Sequence, residues 1–221
     1  MAEDTPIHPI KQLIPPSPFL LCVSGGSDSI ACSHFLKNKL KLTFSLFHFN
    51  NKFIPEDDRT EENTRRFAES YGIPIFVETC QEQYEGGSKE DWCRKQRYTA
   101  LQRAARKTKI NHALVCHNLD DCVHSYLLNC LNGTPEYLPI PLKTQFEHVL
   151  VTRPFLLIEK DRLIRYCYKE TLLQFVTPDP LNNDLDLRRN WVRETLLPVI
   201  EQRYVGLGKI VKKRILNKLG R

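Results

Sequence analysis

At 221 residues with 41% hydrophobic side chains, the chain can build one medium domain, with or without a small appendage, and it contains no run of ~18 apolar residues that would cross a membrane. The formal net charge of +6 is modest but uneven: Arg94, Lys95, Arg97, Arg103, Arg106, Lys107 and Lys109 form one basic group, and Lys209, Lys212, Lys213, Arg214, Lys218 and Arg221 a second, free of acids. Each group suits either a phosphate backbone or a solvated helix face. The start, Met1-Ala2-Glu3-Asp4, is acidic and no apolar stretch follows, so no secretory leader is read and a cytoplasmic location is expected. None of the eight cysteines forms a CxxC pair, which argues against zinc and iron–sulfur sites and for buried free thiols in a reducing compartment.

Residues 1–18 carry five prolines and read as an extended lead-in. Phe19 to Ser29, FLLCVSGGSDS, is the stretch around which the rest is organised: an apolar strand, a polar turn, then apolar residues at helical spacing from Ile30 to Leu36. Such a turn binds phosphate because its backbone N–H groups and those of the first helical turn lack chain partners, and the helix dipole favours an anion. No lysine lies within it, so it is not a Walker loop. A plain strand-to-helix turn capped by Ser or Asp is the competing reading. A second strand is predicted over Leu42–Phe47, ending at His48-Phe49-Asn50-Asn51, then a loop over 52–58 and a helix over Arg59–Tyr71 stopped by Gly72 and Pro74. A third strand (Ile73–Val77), a polar loop (Gln81–Ser88), a long helix (Lys89–Lys107), a fourth strand (His112–Cys116) and a helix (Asn118–Leu131) follow.

This alternation predicts an α/β fold, a Rossmann-like parallel sheet with helices on both faces. Ligands of such sheets bind beyond the carboxyl ends of the strands, where strand order reverses. SGGSDS, HFNN and HNLDD should therefore converge. Asn118 is a natural N-cap, and Asp120 and Asp121 would favour the helix dipole without any chemistry. That reading leaves His117 unexplained. The division expected is an α/β domain over 19–133, a mainly helical extension of the same unit over 134–203, and a basic tail over 204–221. Within the extension, Thr134–Thr144 reads as loop, Glu159–Tyr168 as amphipathic helix, Thr177–Asp186 as turn, and Leu187–Arg203 as a helix interrupted at Pro198.

The SGGSDS turn after an apolar strand resembles the signature of the N-type ATP pyrophosphatases, or PP-loop enzymes. His117-Asn118-Leu119-Asp120-Asp121, with its continuation to Gly133, resembles the HxxDDxxET…RG segment of the tRNA(Ile)-lysidine synthetases. Three stretches agree in order: Glu90 to Tyr98 with that family's ExxxRxxRY helix, Arg153-Pro154-Phe155-Leu156 with RPLL, and Asp179 to Asn182, Arg189 to Arg193 and Leu196-Leu197-Pro198 with DxxN…RNxxR…LLP. The resemblance implies a ligase using ATP and Mg2+. It adenylates the wobble cytidine of a minor isoleucine tRNA with a CAU anticodon, and free L-lysine then displaces AMP.

Carried over, Ser24, Gly25, Gly26, Ser27, Asp28 and Ser29 bind ATP, together with His48, Asn50 and His117, and Asp28 helps hold magnesium. His117, Asp121, Asp28 and Arg97 lie at the reacting centre. Asp120 or Asp121 orients the lysine ammonium. Arg94 and Arg97 approach the cytidine or a phosphate. Arg189 and Arg193 contact tRNA, or pair with Asp179, Asp184 or Asp186.

The chain departs from the pattern at three places: HFNNK where the family has HxxHG, His124 in place of the glutamate of DDxxET, and Asn132 in place of an arginine. Many members also carry C-terminal domains that grip the acceptor stem; the basic tail, dimerisation, or recognition of less of the tRNA are the three routes open to this chain. Two readings compete: a PP-loop tRNA-modifying enzyme with another nucleophile, and a catalytically inactive tRNA-binding homologue.

Overall fold

The computed structural model describes residues 7–134, 138–178, 188–204 and 206–220. Six strands form one sheet: β1 (Phe19–Val23), β2 (Phe44–Asn50), β3 (Ile75–Thr79), β4 (His112–Val115), β5 (Lys143–Phe146) and β6 (Val149–Thr152), in the order β3-β2-β1-β4-β6-β5. All neighbours are parallel except β5, which pairs antiparallel with β6. The order reverses at β1, whose neighbours are β2 and β4, so the carboxyl ends of these two strands flank the turn that follows β1.

The alternation of β1 assigns its side chains to two cores. Phe19, Leu21 and Val23 pack with Ile30, Leu36, Phe67, Phe155 and Leu163, beneath α1 (Ser27–His34), α2 (Pro55–Ser70) and α5 (Lys160–Lys169). Leu20 faces the other way, onto Leu101, Ala104 and Ala105 of α3 (Lys89–Thr108). The sheet is thus covered by helices on both faces. α1 runs on into a π-helical turn, Phe35–Lys39.

Four local expectations change. β2 extends through His48 to Asn50, because β1 pairs with it as far as His48 and β3 as far as Asn50. The expected loop over 52–58 contains the start of α2. Pro55 occupies the first turn, and the Asp57 carboxylate accepts the backbone N–H groups of Phe53 (2.8 Å) and Ile54 (3.3 Å). The region read as loop up to Thr144 ends in β5. Pro198 does not interrupt the C-terminal helix: α6 (Arg188–Trp191) passes through a π-helical turn (Val192–Leu196) into α7 (Leu197–Arg203), and that wider turn accommodates the ring and its missing N–H. The turn expected over 177–186 lies, beyond Pro178, outside the described residues.

The end of the chain is also built in. Residues Leu207–Lys218 form α8, whose Val211 and Ile215 are 1% and 0% exposed against Leu119, Cys122 and Val123 of α4 (Leu119–Leu131). Ile10 and Leu13 of the lead-in join the same cluster, and the Ile10 N–H donates to the Pro154 carbonyl at 2.7 Å. Ile215→Ala should therefore cost about 2–4 kcal/mol in denaturant unfolding, the range for an aliphatic side chain lost from a packed core. A solvated tail would give a change within about 0.5 kcal/mol.

Candidate functional site

The turn after β1 is shaped by its glycines. Gly25 has φ +82°, and a Cβ there would sit 2.3 Å from Thr60 Cγ2 of α2. The Gly25 carbonyl accepts the Thr177 N–H at 3.1 Å, which ties the turn to the segment after α5. Gly26 caps α1 with no side chain to offer, so no cap competes with a ligand for the N–H groups of Ser27, Asp28 and Ser29. The hydroxyls brace the turn: Ser29 Oγ donates to the Gly26 carbonyl at 3.0 Å, and Ser24 Oγ lies 3.3 Å from Ser29 Oγ.

Across the switch point, Asn118 caps α4. Its side chain accepts the Asp121 N–H, while the Asp121 carboxylate accepts the Asn118 N–H, both at 3.0 Å. The Asn118 amide also donates to Asp28 Oδ2 at 3.1 Å. The sequence marked Asn118 only as a cap; its second role, joining the two motifs, depends on strand order. Burial pushes the Asp28 carboxyl up to about 6; the Asp121 charge adds to this, and Lys160 of α5 opposes it.

A divalent cation would relieve that burden. Among the described residues no group of three or more His, Cys, Asp or Glu side chains could hold a metal. A magnesium ion held mainly by a ligand's own phosphates would need one carboxylate from the protein, which Asp28, beside the turn, could supply.

His117, half-buried, has Nδ1 3.2 Å from Nε of Arg153. Burial drives its pKa down to about 4, against the pull of Asp121 and with the help of Arg153, Arg189 and Arg94. His48 turns Nδ1 to the Val23 carbonyl at 2.9 Å. Its Nε2 is buried and, among the described residues, without a partner. Burial also lowers its pKa.

The remaining sequence-marked residues divide. Asp121 and Arg189 meet at 3.3 Å, and Arg189 also reaches Glu90 of α3 at 3.0 Å. Arg94 lies 5.1 Å from the centroid of Tyr98, and the charge of exposed Arg97 is felt at His48 and Cys22. Asn50, by contrast, points its amide at Asp58 (2.8 Å) and Glu61 (2.9 Å) of α2. Asp120 accepts the Lys160 N–H at 2.8 Å, so one of its oxygens holds the start of α5. Arg193 pairs with Glu194 at 2.6 Å. Asp179, Asp184 and Asp186, named as alternative partners for the two arginines, lie outside the described residues. His124, where the resembling family has glutamate, is 7% exposed, and burial lowers its pKa.

Sequence reasoning passed over Arg153 and Lys160. Arg153 stood in a quoted motif, and its place at the end of a strand beside β4 was the available signal.

Comparison with known proteins is consistent with this geometry. The chain is 30% identical over 199 residues to the tRNA(Ile)-lysidine synthase of Thermus thermophilus, covering 88% of this chain and 38% of that protein. It is 31% identical over 193 residues to the bifunctional protein TilS/HprT of Listeria monocytogenes, covering 83% of this chain and 29% of the relative. The chain thus spans less than two fifths of the length of either. Among solved structures, the U34-tRNA thiolase NcsA of Methanococcus maripaludis superposes with a TM-score of 0.71 at 18% identity, covering 91% of this chain and 72% of that one, and shares the fold. A match to the PP-loop domain runs from residue 5 to residue 200, across every strand of the sheet and the turn at its switch point, and the chain belongs to that family.

Proposed function

We propose that this chain is an ATP-dependent tRNA-modifying ligase of the tRNA(Ile)-lysidine synthetase type. The observation that carries the reading is the Asn118–Asp28 hydrogen bond of 3.1 Å, which joins the phosphate turn and the HNLDD motif into one cup. In this reading the N–H groups of Ser27, Asp28 and Ser29 receive the β- and γ-phosphates of ATP. His117 donates to the α-phosphate as O2 of the wobble cytidine attacks it; the P–O bond to pyrophosphate breaks as the new one forms. Magnesium, met by Asp28, offsets phosphate charge when bound. The ε-amine of lysine then attacks C2 of the cytidine, AMP leaves, and the amine loses a proton. In this reading Asp120 or Asp121 orients the lysine ammonium, which at Asp121 must share the carboxylate with Arg189.

The test is AMP release by the purified chain with ATP, Mg2+, a CAU-anticodon tRNA and each amino acid in turn. Dependence on both lysine and this tRNA is the expected result. A second reading, a different amine nucleophile, is favoured by buried His124 where the family's glutamate would stand; AMP release with another acceptor would select it. RNA binding without AMP release would leave a catalytically inactive homologue.

Lys209, Lys213 and Lys218 are exposed on α8 and suited to tRNA phosphates. Replacing all three with glutamine should weaken tRNA binding and reduce the slope of log K against log salt by about 2–3, at ~0.7–0.9 per phosphate contact. An unchanged slope would make α8 a packing element alone. Association into a homodimer is also proposed; sedimentation of the chain with and without tRNA checks it. No described helix is long and apolar enough to cross a membrane.

A further inference from the structure

We propose that Arg153 is a positioning residue that fixes the tautomer and ring orientation of His117, so that His117 meets its ligand as a neutral Nε2–H donor and not as a proton donor that empties and refills. The consequence for catalysis rests on the placement of His117 at the reacting phosphate; the tautomer itself does not.

Arg153 follows β6, whose Thr152 is in register with Leu114 of β4, so the guanidinium lies beside the strand that delivers His117. Its exposure is 0%. Nη1 donates to the Pro141 carbonyl at 2.8 Å and to Thr144 Oγ1 of β5 at 2.9 Å, and Nε donates to His117 Nδ1 at 3.2 Å. A guanidinium is a planar fork of donors with nothing to accept. Because two contacts from the other edge of the sheet fix its plane, the lone pair of Nδ1 must face it, and the single ring proton sits on Nε2. A doubly protonated ring would set N–H against N–H.

The charges around the ring act in the same sense. Burial is the largest influence keeping the ring neutral; Arg153 just after β6, Arg94 from α3 and Arg189 from α6 add to it, and Asp121 of α4 opposes it. A neutral donor of fixed direction suits a phosphate whose charge changes during reaction, because it neither gains nor surrenders a proton and needs no reorientation.

The tautomer is read on the full chain by long-range 1H–15N correlation of the histidine rings, with assignment from a His117→Gln control. In the parent, His117 should show protonated Nε2 and unprotonated Nδ1 down to about pH 5, given its pKa of about 4. In Arg153→Met, which keeps the packing volume and removes the donor, the ring should populate both tautomers, and its pKa should rise while staying below the ordinary ~6.5 because the burial remains. The kcat for AMP release should then fall about 10- to 100-fold, with KM for ATP within about threefold, as for a donor lost from the transition state only. Arg153→Lys, which retains charge and N–H donors but not the planar fork, should recover part of both effects, and it provides the comparison if the methionine variant does not fold.

A parent His117 carrying its proton on Nδ1, or an unchanged tautomer and titration in a folded Arg153 variant, would overturn the proposal. A changed tautomer with unchanged kcat would uphold the positioning by Arg153 and remove His117 from the reacting centre.

Discussion

Asp28→Asn should make the protein more stable at neutral pH while abolishing ATP turnover. The Asp28 carboxyl is held at about 6, above its ordinary 3.8, chiefly because it is buried beneath the turn. Between these two values the folded state binds a proton that the unfolded state releases. The contribution of this group to stability is therefore greatest at low pH and declines as pH rises from about 4 to about 6. Above that window the charged carboxylate is a standing cost of at most about 3 kcal/mol, and solvent reaching its half-buried edge reduces this to about 1–2 kcal/mol. Asparagine removes the charge and still offers an oxygen to the Asn118 amide. Urea unfolding at pH 7 should show the gain, which should shrink at pH 5 and vanish near pH 3.5. AMP release should fall at least ~100-fold if, as proposed above, Asp28 meets the cation carried by the phosphates. In the parent, kcat/KM should lose activity below about pH 6 as the same group takes up its proton. A variant that is less stable at pH 7, or that turns over ATP within a few-fold of the parent, would contradict this role for Asp28.

Gly25→Ala should be the most damaging change that adds a single methyl group. Two costs combine: φ of +82°, which a side chain disfavours by about 1–2 kcal/mol, and a Cβ placed 2.3 Å from Thr60 Cγ2. Thr60 cannot swing away cheaply, because its Oγ1 donates to the Glu56 carbonyl at 2.7 Å in the first turns of α2. With overlap included, the loss should be about 2–4 kcal/mol. The turn must also shift away from α2, carrying the N–H groups of Ser27 to Ser29 with it. The KM for ATP should rise at least ~10-fold. Adding Thr60→Ser, which deletes Cγ2 and keeps the hydroxyl, should return about 1–2 kcal/mol and part of the affinity, leaving the φ penalty in place. Parent-like melting and KM in Gly25→Ala would mean that the turn does not depend on its close approach to α2.

The local code of the phosphate turn was readable because strand, glycines and helix start are contiguous in sequence. The same holds for the Asn118 cap of α4, whose donor and acceptor are three residues apart. Misreadings came where a partner decided the outcome. β2 continues past Phe47 because β1 and β3 pair with it on both sides, which no property of His48 or Asn50 announces. The Asn50 amide meets Asp58 and Glu61 of α2, partners that its position at the end of β2 does not announce. α8 looked like a tail because its lysines dominate its composition; Val211 and Ile215, four residues apart, were the helical stripe that packs it onto α4. Arg153 was invisible for a deeper reason. An arginine is ordinarily exposed, and only the order β4-β6-β5 encloses this one between a histidine, a carbonyl and a hydroxyl.

The measurement that bears most directly on the phosphate cup is a backbone-amide NMR titration of the full chain with pyrophosphate and then ATP, each with Mg2+. Saturable shifts centred on the N–H groups of Ser27, Asp28 and Ser29, present with pyrophosphate alone and extended toward His117 by ATP, are the expected result. Shifts that leave these three amides untouched while ATP binds elsewhere, or no saturable response to either ligand, would contradict it.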